Sequence, residues 1–232
     1  MTQEIAKQST KALDGFDGGG GDDGSESIIK GTRIKFGNAT KPTTWVLSDG
    51  TPLPPETKYV AHDLLRVTQK WPPGDGNDPP ATKILGADEK FPNVEELNKE
   101  VPKDKWRTGP NGGPKGPFEN AYVLYLLDSL TAAPFTYVGS TVGGMRAVHD
   151  LRERVQWMRE FRAEHVVPEV MLADCHMPTK HGGRRRPHFN ILRWVTFGGG
   201  GLVVATDSPQ LTGPQTVEPP SAKEVTKDSV PW

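Results

Sequence analysis

The sequence predicts a mainly β fold with one principal helix, and three observations carry that expectation. Several short stretches alternate apolar with polar residues, or run apolar throughout, between Gly, Pro, Asn and Asp turn signals. A single segment, 141–161, instead repeats apolar side chains every third or fourth position. Hydrophobic residues make up only 34% of 232, against 26 Gly and 22 Pro, so a compact centre is expected with long loops and tails around it.

Residues 1–28 are poor in apolar side chains and interrupted by "GGGGDDG", so they read as a disordered acidic tail. "GTRIKFGNATKPTTWVLSDG" then alternates Arg33 and Lys35 with Ile34 and Phe36, and reaches Trp45, Val46 and Leu47 before an Asp-Gly turn, which reads as a strand pair. "KYVAHDLLRVTQKW" suits a strand or a short helix equally. Residues 71–118 are dominated by breakers, with one helical turn expected around Val94 to Leu97, and form either a lid or an ordered insertion.

The clearest pattern lies between 121 and 204. "AYVLYLLD", "SLTAAP" and "FTYVG" read as strand, turn and partner strand. Ser140 or Thr141 caps the helix, whose expected apolar stripe is Met145, Val148, Leu151, Val155, Met158 and Phe161. "VVPEVMLAD" and "HFNILRWVTFG" follow as strands around the stretch "KHGGRRRPH". A helix set between the third and fourth strands of a small antiparallel barrel is the arrangement of an OB-like fold, here elaborated by the insertion, with an α+β sandwich as the other topology that fits. One domain is expected over 29–204, with a second disordered tail at 205–232.

Net charge is only -1, but acid gathers in the amino-terminal tail (Asp14, Asp17, Asp22, Asp23, Glu26). The last structured third instead holds Arg146, Arg152, Arg154, Arg159, Arg162, Lys180, Arg184, Arg185, Arg186 and Arg193. No stretch has the length and apolarity of a membrane span, and the opening residues lack the apolar core of a signal peptide. One cysteine, Cys175, excludes an internal disulfide. The expectation is a protein of a reducing, cytoplasmic compartment.

"KHGGRRRPHFNILRW", residues 180–194, is the candidate site. It is either a solvated hairpin loop or a row of guanidinium groups at the mouth of a strand. Regular alternation places His188, Asn190, Leu192 and Trp194 on one face and Phe189, Ile191, Arg193 and Val195 on the other. Cations that follow phosphates, beside flat rings on which bases stack, are what an unpaired nucleic-acid strand needs. In that reading Lys180, Arg184, Arg185, Arg186 and Arg193 contact phosphates. Trp194 with His188 or Phe189 offers the stacking surface, and Arg33 and Lys35 add charge; core packing is the plainer role for the aromatic side chains, Trp157 included.

Cys175, His176, His181 and His188 carry metal-ligand chemistry without the spacing of a zinc site, so no metal and no cofactor is expected. "VGSTVGGMR" runs from a strand into a helix amino terminus and serves as a cap or an anion cradle. No nucleophile elbow, phosphate-binding loop or zinc-protease motif occurs, so no catalytic residue is assigned.

The chain closes on "DSVPW". This stretch resembles the carboxy-terminal tip of single-stranded DNA-binding proteins, which end in acids, an aliphatic residue, proline and an aromatic ring. It departs from the bacterial pattern in carrying one acid and in placing tryptophan where phenylalanine is usual. The hairpin, the helix and "RPHFNILRW" are similar to phage and prophage proteins of replication modules. The resemblance implies a non-enzymatic single-stranded DNA-binding protein of phage replication or recombination, acting in the bacterial cytoplasm. Asp228, Val230, Pro231 and Trp232 would recruit replication or recombination proteins. A virion or assembly protein, and a metal-dependent nuclease built on the Cys/His stretch, are the alternatives; self-association remains open.

Overall fold

The computed structural model describes residue 16 and residues 28–37, 45–74, 78–86, 89–109, 112–162, 165–179, 182–198 and 201–204. Among them, eleven strands and one long helix make a mainly β fold built on a curled, half-barrel sheet. The strands are β1 Thr32–Phe36, β2 Trp45–Leu47, β3 Lys58–Lys70, β4 Ala81–Ile84, β5 Arg107–Thr108, β6 Pro114–Lys115, β7 Phe118–Asp128, β8 Pro134–Gly139, β9 Val166–Thr179, β10 Gly182–Gly198 and β11 Gly201–Val204. The helices are α1 Val94–Lys99 and α2 Val142–Arg162, with a 3-10 turn at Lys103–Lys105.

The main sheet runs β11-β10-β9-β3-β7-β8-β1-β2, with β4 also on β3. All its pairs are antiparallel except β1 with β8. Its centre is β7, whose residues 121–126 are buried without a break, so both faces of that strand must be covered. Tyr122, Leu124 and Leu126 join the main core with α2; Ala121, Val123 and Tyr125 join a second cluster that Ile28, Leu65 and Ile84 cover. The period of two thus divides one apolar run between two cores.

The stretch 58–70 is a strand throughout, not a helix, because β7 on one side and β9 and β4 on the other accept its ladder; a bulge at His62 is absorbed between Ala61 and Asp63. The curl of the sheet brings its two ends together through side chains. The Trp45 indole on β2 donates to the Ala173 carbonyl on β9 at 2.9 Å and packs against Phe189 on β10, with ring centroids 5.5 Å apart.

The insertion is ordered where it is described and folds back onto β7. Asn93 caps α1, and the Asn98 side chain holds both the amide and the carbonyl of Phe118. Glu119 accepts from Arg107 at 2.6 Å and also pairs with Lys115, while the Arg107 guanidinium lies 4.4 Å from the Trp71 ring centroid. Burial alone would raise the Glu119 pKa, but the hydrogen bond from Lys115 and the charges of Lys115 and Arg107 hold it below the usual carboxylate range.

Helix α2 begins at the Thr141 cap, whose Oγ1 accepts from Gly144 N at 3.1 Å. Its buried face is Gly143, Gly144, Ala147, Val148, Leu151, Val155 and Arg159. Against expectation, Phe161 is 85% exposed and Arg159 is buried. Arg159 follows Val155 at i+4 on the inward face and donates to the Val166 carbonyl at 2.9 Å, while Phe161, two residues on, turns away from that face. Also against expectation, Phe16, within the stretch read as a disordered tail, is fully buried in the main core.

Candidate nucleic-acid interface

The three consecutive arginines are not in a loop. Strand β10 runs unbroken from Gly182, and Arg184, Arg185 and Arg186 sit opposite Met177, His176 and Cys175 of β9. The ladder between β3 and β9 covers only Glu169 to Met171, so toward the turn end the β9–β10 pair continues past β3 as a two-stranded ribbon. Its outer part, Gly182 to Arg185, is exposed and carries polar and charged side chains, while Pro187 and Phe189 nearer the sheet are buried.

Arg184 and Arg185 are exposed on this ribbon. Arg185 reaches diagonally to Asp174, donating from Nη2 at 2.7 Å, and that carboxylate raises the Arg185 pKa. Arg186 turns toward α2, where its Nη2 donates to Asp150 at 2.7 Å and its stem lies against Gly143. A side chain at Gly143 would meet the Arg186 Cβ at 3.0 Å, a tight contact, so glycine suits the close approach of strand and helix. Lys180 and His181 lie outside the described residues.

Beyond the ribbon, β10 and α2 run side by side in the same direction. Gly143 faces Arg186, and Arg154, Trp157, Met158 and Phe161 face Ile191 and Trp194. The helical rise over 143–161 and the strand rise over 186–194 both amount to roughly 26 Å, so the two elements stay in step. His188 lies half-buried along the way. Its pKa is lowered first by burial and then by the charges of Arg154 and Arg186, with Asp150 opposing them in part, so the imidazole is neutral at pH 7.

The seam ends in a groove of about 350 Å³ lined by Arg154, Trp157, Met158, Phe161, Ile191 and Trp194. Trp157 is 70% exposed, and Phe161 more so. Regular alternation would have placed Ile191 and Trp194 on opposite faces. A bulge at Leu192 adds one residue between them and puts both on the α2 side.

Several predicted site residues take other places. Phe189 is a core residue, packed between Trp45 and Tyr137, and offers no ring to solvent. Arg193 forms a two-pronged pair with Glu169, at 2.6 and 3.0 Å, next to the separate cluster of Val60, Val167 and Val195; its hydrogen bond is the main reason the Glu169 carboxyl titrates low. Arg33 and Lys35 lie on β1, far from β10 in strand order and on the face away from buried Ile34. Asp228, Val230, Pro231 and Trp232 lie outside the described residues.

Cys175 and His176 are neighbours on a strand and project to opposite faces, so they cannot converge on one ion. Among the described residues the one acid-and-histidine group close enough to share an ion is His149, Asp150 and Glu153, and Asp150 already pairs with Arg186. The glycine-rich helix start serves packing: side chains at Gly139 and Gly144 would press on one another's backbone and on Tyr137. No helix among the described residues is long and apolar enough to cross a membrane.

Sequence reasoning missed the helical side of the seam. At 100° per residue, Arg146, Asp150, Arg154, Trp157 and Phe161 fall within an arc of about 80°, a polar-aromatic stripe beside the apolar one. That signal was present in the spacing. The chain has no match among protein-family models, curated proteins or solved structures.

Proposed function

We propose that the protein binds single-stranded DNA, without chemistry on it, along the seam between α2 and β10. The observation that carries the reading is the exposed pair Trp157 and Phe161 beside Trp194, in a groove that also holds Arg154. Large rings left in water beside a guanidinium are the surfaces on which unpaired bases stack, each stack contributing about 1–3 kcal/mol. Duplex DNA hides those faces, so the seam favours the single strand. Arg184, Arg185 and Arg146 supply cations around the far end for the phosphates. The phage replication setting, and recruitment of partners by Asp228, Val230, Pro231 and Trp232, rest on the resemblance of the tip and the central stretch.

The test is fluorescence anisotropy of labelled single-stranded and duplex oligonucleotides at about 50 and 200 mM salt, a range over which phosphate contacts weaken measurably. Preference for the single strand, falling with salt, is the expected result. Replacing Arg184 and Arg185 with alanine flattens the salt dependence. No binding at the lower salt overturns the reading. The apolar character of the groove and the 41% exposure of Leu192 beside it favour a second reading, an assembly contact between copies. It predicts self-association in sedimentation, insensitive to salt and lost with Trp157→Ala.

A further inference from the structure

The insertion between β3 and β7 folds against one end of the sheet without filling the space it encloses. Lys70 pairs with Phe118 of β7 on one side and with Ala81 of β4 on the other, so all three side chains project from one face. The insertion adds Leu85, Pro92 and Leu97, and together these residues line a cavity of about 390 Å³. Leu85, Leu97 and Phe118 join none of the three apolar clusters of the described residues, and α1, which carries Leu97, buries no residue. Their apolar surface faces the hollow instead of a packed core.

Hydrogen bonds hold the walls in place. The Asn98 side chain clasps both the amide and the carbonyl of Phe118, Asn120 Nδ2 donates to the Pro92 carbonyl at 3.0 Å, and the Leu85 amide donates to the Arg66 carbonyl at 2.8 Å. The hollow is therefore preformed, and its volume lies at the small-molecule end of the range for ligand sites. An apolar cavity holds water poorly, and its lining recovers its missing dispersion contacts from an apolar guest. Charge at the rim narrows the guest further. Lys83 is paired with Glu89, whereas Lys70 has no carboxylate partner among the described residues and lies with Nζ 5.4 Å from the Phe118 ring centroid. One unpaired ammonium beside an apolar cavity complements a single negative charge.

We propose that this cavity binds a small apolar molecule bearing one carboxylate, with its apolar body against Leu85, Leu97 and Phe118 and its carboxylate on Lys70. The site is separate from the α2–β10 seam and does not depend on the DNA-binding reading. It gives the long insertion a role: the insertion supplies the wall that turns an open sheet face into a pocket. A dianion is rejected, because a second carboxylate would enter the apolar end without a partner.

The experiment titrates octanoate, octanamide and octanedioate into the full chain, with affinity read by calorimetry and position by the NMR shifts of leucine and methionine methyl groups. Octanoate is expected to bind and to shift Leu85 and Leu97. Octanamide, the same body without the charge, is expected to bind at least about tenfold more weakly, and octanedioate not to bind. Lys70→Gln, at an exposed position, should weaken octanoate about tenfold and leave octanamide unchanged. Leu97→Trp, which fills the hollow, should abolish octanoate binding while the chain still unfolds cooperatively; Lys70→Gln carries the test alone if that variant does not fold. The proposal is overturned by absence of octanoate binding, by equal affinity for octanoate and octanamide, or by undiminished octanoate binding to Lys70→Gln. Shifts confined to Met158, in the groove beside Arg154, also overturn it.

Discussion

Trp157 and Trp45 carry the same side chain in opposite circumstances. Trp45 is 5% exposed, with Phe36, Tyr137 and Phe189 around it, and its indole nitrogen is satisfied by Ala173. Trp157 stands in water. Trp157→Ala should therefore leave the unfolding free energy within about 0.5 kcal/mol of wild type. It should weaken single-stranded DNA binding by about 5- to 150-fold, the equivalent of 1–3 kcal/mol of stacking. Thermal melting and anisotropy on one preparation check both halves. Trp45→Ala should reverse the order, costing about 3–5 kcal/mol of stability. The burial of Trp45 agrees with the core role expected of the aromatic side chains, whereas the exposure of Trp157 was not legible, because an aromatic residue in an amphipathic helix reads as core unless its angular position is worked out. Gly31 was equally silent: it has φ of 66°, and a side chain there would collide with the Pro134 backbone. Gly31→Ala should destabilise the fold by more than about 2 kcal/mol, measured by urea unfolding.

Strand β7, its partner β8 and the start of α2 were legible because each is specified locally, by an apolar run, a turn and a hydroxyl cap. Strands β9 and β10 were read too short. Two glycines, three arginines and a proline look like a loop, and nothing local announces that Asp174 will sit diagonally across from Arg185. The bulge was invisible for a related reason: alternation counts residues, while the ladder decides which of them is extra. Ile191 pairs with Val170 and Arg193 with Glu169, leaving Leu192 as the unpaired residue. Deleting Leu192 should therefore be tolerated, with cooperative unfolding retained and a loss below about 1.5 kcal/mol, because Trp194 keeps its face. Deleting Ile191 and Leu192 together instead moves every following side chain to the wrong face and should abolish the cooperative transition. Circular dichroism melts of the two deletions separate these cases.

For the molecule as a whole, acid should weaken the fold in two stages. His188 titrates below its ordinary value in the folded chain, because of burial and of Arg154 and Arg186, with Asp150 facing it as well. The unfolded chain therefore takes up that proton first, and stability declines as pH falls below about 6.5. Glu169 and Glu119 titrate low in the folded state, so their contribution is present above about pH 4.3 and is lost as pH drops through their folded values. Urea midpoints followed from neutral pH downward should show both declines, and His188→Gln should reduce the first while sparing the second.

The pairing of β1 with β8 joins Thr32 to Phe135, 103 residues later in the chain. At ribosomal speeds of about 5–20 residues per second, that partner is completed roughly 5–20 s after β1 has been made. Closure also carries a large loop entropy, which places the fold among the slow, high contact-order topologies. During synthesis the β1–β2 pair must therefore wait with the β8-facing edge of β1 open, the kind of edge that charged side chains such as Arg33 and Lys35 blunt against association with other chains.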